Sequence, residues 1–171
     1  MKIRNALTLL TICVLSVTIP NMVNLHKVLA QPTTDCRKLV TGTYLTTNSG
    51  DFGSFRSVIT FTQDGNFFAT DSIQSGTSSI QPFGNIQGSW KCISDREITA
   101  TSLNFDYPTA TLPGSIGRGD FRATFDPKNG IVQATSTLRF YNLNANPLND
   151  DAPVAGMFTF TGQRVKAGQE H

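Results

Sequence analysis

The chain has 171 residues, with 14 Lys and Arg against 12 Asp and Glu, a formal charge of +2. Residues 1–30 hold Lys2, Arg4 and Lys27 and no acidic residue, so without them the net charge is −1. This excludes the strongly basic surface that binding to nucleic acid or an anionic membrane would call for, and no nucleic-acid partner is expected.

From the start, Lys2 and Arg4 are followed by an apolar run from Ala6 to Ile19, short for a membrane span. Val28-Leu29-Ala30 then supplies a small-residue cleavage site. The expectation is a secretory signal peptide over residues 1–30, cleaved after Ala30, giving a secreted or periplasmic protein with no membrane span left. An uncleaved anchor is the alternative. Lipid attachment at Cys13 fits poorly, because bulky Ile12 stands where a small residue is needed. What remains is rich in Gly, Ser, Thr, Asn and Phe and lacks good helix-forming runs, which points to one all-β domain over residues 31–165. Residues 166–171 read as a flexible tail.

Residues 31–35 read as a polar lead-in and residues 39–46 as the first strand. The second, 55–62, alternates cleanly, with Phe55, Ser57, Ile59 and Phe61 on one face. Asp64-Gly65 is a hairpin turn, since Gly takes the positive φ that such turns need. In the third strand, 66–73, Phe67, Ala69, Asp71 and Ile73 share one phase and Phe68, Thr70 and Ser72 the other, and either could face inward. The fourth, 86–93, puts Ile86, Gly88, Trp90 and Cys92 together. In the fifth, Ile98 and Ala100 are in phase and Leu103 and Phe105 out of it, which predicts a β-bulge. Strands six (119–125), seven (131–141) and eight (154–165) alternate regularly. The last aligns Val154, Gly156, Phe158, Phe160, Gly162 and Arg164.

The connections alternate too. Residues 64–65, 94–95 and 126–130 are short, and 47–54, 74–85, 106–118 and 142–153 are long. In an up-and-down meander successive connections fall at opposite ends, so the predicted fold is a single eight-stranded antiparallel up-and-down β-barrel with one closed end and one open end. Barrel closure is preferred to a flat sandwich because it removes exposed strand edges. Cys36 and Cys92 would both lie at the closed end, and in an oxidising compartment a disulfide is expected, two buried thiols being the alternative.

Gly42-Thr43-Tyr44 and Arg164 carry a resemblance to the calycin group, the lipocalins and avidin-like proteins. Lipocalins open on Gly-x-Trp in the first strand, and an Arg near the end of the last strand packs on that ring. The resemblance implies a lipocalin-like barrel in which Tyr44 replaces the Trp and meets Arg164 on the floor as a cation–π pair. Gly88-Ser89-Trp90 has similar letters but falls in strand four, so Trp90 is assigned a structural role. Avidin-type biotin binding uses several Trp residues, and Trp90 stands alone. Allene oxide cyclases and dirigent proteins are also similar to such a barrel.

Catalytic options are few. The only histidines are His26 and His171, so no His-based triad, zinc or haem site is built into the domain. No cofactor and no metal is expected. Asp64, Asp95 and Asp126 belong to turns, and Asp150-Asp151 to a solvated loop. Asp71 is the remaining acid. Facing inward it would sit in an apolar cavity with a raised pKa; facing outward it would be solvated, the favoured placement because unpaired buried carboxylates are rare. It is a catalytic candidate only for an enzyme of the isomerase or cyclase kind. Phe61, Phe67, Phe121, Phe125 and Trp90 are expected in the core. Phe55, Phe83, Phe105, Tyr107, Phe140 and Phe158, with Asp71, would line an open mouth that takes a small hydrophobic ligand. A barrel filled by its own side chains, acting through its loops, is the competing expectation.

Overall fold

The computed structural model describes residues 34–149 and 152–168. A short helix α1 (Thr34–Val40) precedes eight strands: β1 (Gly42–Gly50), β2 (Gly53–Phe61), β3 (Asn66–Asp71), β4 (Ile86–Cys92), β5 (Glu97–Asp106), β6 (Ser115–Asp126), β7 (Ile131–Asn142) and β8 (Gly156–Arg164). Each strand pairs antiparallel with the next, and β1 pairs with β8, with Tyr44 opposite Arg164, so the barrel closes. The expected up-and-down barrel is the observed fold. The expected signal peptide and the Asp150-Asp151 pair lie outside the described residues.

Three local expectations are corrected. The end of the expected lead-in, residues 34–35, and a strand from Leu39 give way to α1, whose Cys36, Leu39 and Val40 fall at helical spacing and seal the closed end; Cys36 and Val40 are fully buried. The loop expected at 47–54 is a two-residue turn, Asp51-Phe52, because β1 and β2 stay paired out to Gly50 and Gly53. Thr46 and Asn48 are polar yet point into the barrel, so composition misread a strand as a loop. The bulge in β5 is absent: its pairing with β6 is continuous from Glu97 to Asp106. Ser102, Asn104 and Asp106 carry on the inward phase of Ile98 and Ala100, so β5 runs to Asp106 and β6 begins at Ser115.

The lower half of the barrel is solid. Phe61 lies at its centre, edge-on to Tyr44, Trp90, Phe121 and Phe125 with ring centroids 5.7–6.3 Å apart, an arrangement that suits ring quadrupoles. Trp90 donates its indole N–H to Thr62 O and Asn66 O at 3.1 and 3.0 Å, locking the β2–β3 turn. Below this layer the Cys36–Cys92 disulfide fastens α1 to the end of β4. The Arg164 guanidinium lies 5.3 Å from the Tyr44 ring and donates to the Tyr44 hydroxyl and to the Leu39 and Thr41 carbonyls. A cation thus caps the C-terminal end of α1, where carbonyls lack helical partners. Gly42 (φ +147°) makes the bend from α1 into β1, and a Cβ there would press on that guanidinium at 3.3 Å.

Candidate functional site

The upper half of the barrel is hollow. A cavity of about 450 Å³ opens at the end opposite α1. Its floor is apolar, formed by Ile59, Phe67, Phe121 and Phe160, and Phe55, Phe140 and Phe158 form its rim. Phe55 and Phe158 face each other across β1 with centroids 6.1 Å apart. Glycines help to hollow the wall: Gly119 lines the cavity, leaving room where a side chain would meet Ser102 Oγ.

Between floor and rim runs a polar belt. On one side Asn48 Nδ2 donates to Ser57 Oγ at 2.7 Å. Ser57 pairs across the sheet with Asp71 and hydrogen-bonds its carboxylate. On the other side Asp106 accepts from Asn104 Nδ2 at 2.8 Å and Ser115 Oγ at 2.5 Å. Both acids stand at the same level of the strand register. Ala69 pairs with Ile86 and Gln87 with Leu103, so Ala69, Ile86 and Asn104 form a row. Asp71 and Asp106 each stand two residues above that row, about 10 Å apart along the wall at two strand spacings of roughly 4.8 Å.

Burial governs the electrostatics. Loss of water pushes the Asp71 carboxyl up from 3.8 to about 6, against the smaller opposing pull of the Ser57 hydrogen bond. The Asp106 carboxyl is raised for the same reason, with Ser115 and Asn104 opposing. Among the described residues that line the cavity there is no Lys, Arg or His.

Two loops arch over part of the opening. Residues 72–85 bring Ile73, Ile80 and Phe83 over the cavity, and residues 107–114 bring Leu112 and Pro113. Gln81 joins them, donating Nε2 to Tyr107 O at 2.5 Å and Pro113 O at 2.9 Å. The third long connection behaves differently. Residues 143–149 lie against the outside of β6 and β7, where Tyr141 Oη donates to Asn149 O at 2.8 Å and Arg118 Nη1 to Pro147 O at 3.1 Å. Arg118 is itself held by Asp120 at 2.9 Å.

Of the residues singled out from the sequence, Phe55, Asp71, Phe83, Phe140 and Phe158 line the cavity. Phe105 and Tyr107 do not: they are 61% and 53% exposed. Their outward position follows from the unbroken phase of β5, which turns Asn104 and Asp106 inward instead. The favoured solvated placement of Asp71 is likewise reversed. Phe67 and Ala69 are buried while Phe68 is 48% exposed, so the Asp71 phase faces in. Sequence reasoning missed the belt residues Asn48, Ser57, Asn104, Asp106 and Ser115. Their strict spacing by two within strands was the available signal. Among the described residues no group of three or more His, Cys, Asp or Glu is placed to hold a metal ion. No family model, no curated protein and no solved structure matches the chain.

Proposed function

We propose that this chain is an exported, lipocalin-like binding protein that holds a small, mainly apolar molecule at the open end of its barrel. The observation that carries the reading is the one-ended cavity of about 450 Å³, with an aromatic floor and rim and a few polar groups between. That volume and that mixture are the usual form of a small-molecule site. The solid, disulfide-tied lower half supports it by giving the cavity a rigid base. The hydroxyls that meet carboxylates in the wall, Ser57 at Asp71 and Ser115 at Asp106, are cross-strand hydrogen bonds, and no His or Lys among the described lining residues stands by to activate them, so binding is favoured over turnover.

The test is direct. Mature protein purified without detergent is examined by native mass spectrometry and solvent extraction, then titrated with the apolar fluorophore N-phenyl-1-naphthylamine. A co-purifying mass or saturable probe uptake is expected. Ala69→Trp, which projects an indole from the wall into the cavity, is expected to abolish uptake while the circular dichroism of the barrel persists. Probe uptake that survives Ala69→Trp undiminished would place binding outside the barrel and overturn the reading.

A further inference from the structure

The chemistry of the belt narrows the ligand class. We propose that the cavity selects a cationic amphiphile, an apolar or aromatic body bearing one protonated amine, with Asp71 as its counter-ion. This rests on the small-molecule reading above and adds a head group to it.

Three observations carry the assignment. First, the described lining residues include two carboxylates and no basic side chain, so among them an anionic head group meets only like charge, while a cation meets its complement. Second, the two acids differ in what they have left to offer. Asp106 has a donor on each oxygen, Asn104 on Oδ1 and Ser115 on Oδ2. Asp71 has the Ser57 hydroxyl, whose oxygen is oriented by Asn48. An ionised carboxylate offers about four acceptor positions, so Asp71 retains about three against about two at Asp106. Third, Phe55 stands one inward position above Ser57 on β2, with Phe158 beside it, so aromatic rings flank the approach to Asp71. Ring faces attract ammonium groups and leave anions unrewarded. A protonated amine entering tail-first would bury its body against Phe67, Phe121 and Phe160 and stop with its nitrogen at the belt.

Charge at the belt makes the selectivity depend on pH. The groups facing Asp71 from the neighbouring elements are Asn48 on β1, Ser57 on β2, Ile86 on β4 and Phe83 above, none of them titratable. Asp106 is the other titratable group among the described lining residues, also raised by burial but already holding two donors. Asp71→Asn separates the Asp71 share of the selectivity from any Asp106 share.

The experiment compares three probes with the same carbon skeleton: 4-phenylbutylamine, 4-phenylbutanol and 4-phenylbutyrate. Each displaces N-phenyl-1-naphthylamine from full-length mature protein at pH 8 and at pH 5. At pH 8 the amine is expected to bind at least tenfold tighter than the alcohol, and the alcohol tighter than the carboxylate. The advantage of the amine shrinks at pH 5, where Asp71 takes up a proton, while the alcohol shows no such trend. Asp71→Asn brings amine and alcohol to within threefold of each other at pH 8. Equal binding of the three probes, a preference for the carboxylate, or an amine preference that survives Asp71→Asn would each overturn the proposal and leave the small-molecule reading standing. Failure of every probe, N-phenyl-1-naphthylamine included, would overturn both.

Discussion

Asp71 should weaken the empty barrel, and the size of that effect can be worked out. In the folded chain its carboxyl is raised from 3.8 to about 6 by burial. A group whose folded pKa lies above its unfolded value binds its proton more tightly in the folded state. Its favourable contribution is complete below about 3.8 and is lost as pH rises through about 6. At 1.36 kcal/mol per pH unit, the loss by pH 8 approaches about 3 kcal/mol. Asp71→Asn removes the charge, keeps the shape and keeps an oxygen that can accept from Ser57. The variant and the native protein should be equally stable at pH 3.5. At pH 8 the variant should be more stable by up to about 3 kcal/mol, or about 10 °C in Tm for a domain of this size. Urea unfolding followed by Trp90 fluorescence at both pH values measures the difference. Other titrating groups, including the raised Asp106, are present in both proteins and cancel. A variant less stable than the native chain at pH 8, or a gain equal at both pH values, would refute the claim that Asp71 is an ionised group held in a poorly hydrated wall. A residue that weakens its own fold in this way is typical of a site kept for binding.

Replacing both Cys36 and Cys92 by Ser should lower the unfolding free energy by about 4 kcal/mol on the chain-entropy estimate for the 56-residue separation, read from the urea midpoint. Gln81→Ala removes the two hydrogen bonds that tie the arching loops together. Stability should hardly change, but stopped-flow dissociation of a bound probe should accelerate about 5- to 30-fold, the equivalent of about 1–2 kcal/mol. An unchanged rate would mean that the loops do not retain the ligand.

The sequence showed the barrel wherever its interior is dry. Phe61, Phe121, Ala123 and Phe125 alternate with polar residues because one side of each strand meets the core and the other meets water. The same logic hid the cavity. Where the interior is a polar-lined hollow, inward residues look like outward ones, so alternation loses its contrast. Asn48 and its neighbours therefore resembled a loop, and Ser102, Asn104 and Asp106 made Leu103 and Phe105 pass for the buried face. Asp71 was ambiguous for a related reason: Phe67 and Phe68 are both large and apolar, and only the pairing of β3 with β2 and β4 decides between them. Helix α1 is a turn or two long, too short for periodicity to announce it, and its place depends on a disulfide and on Arg164, far along the chain.

Because Arg118 and Tyr141 fasten residues 143–149 to the outer wall, the barrel has a sided doorway. The arch tied by Gln81 stands over the β3–β5 sector. Among the described residues, the rim over β7, β8 and β1 carries Phe140, Phe158 and the tight turn with Phe52. Molecular traffic should keep to that arc. Substitutions at Phe52 or Phe140 would then alter how fast a ligand arrives, whereas loosening the arch on the far side governs how long it stays.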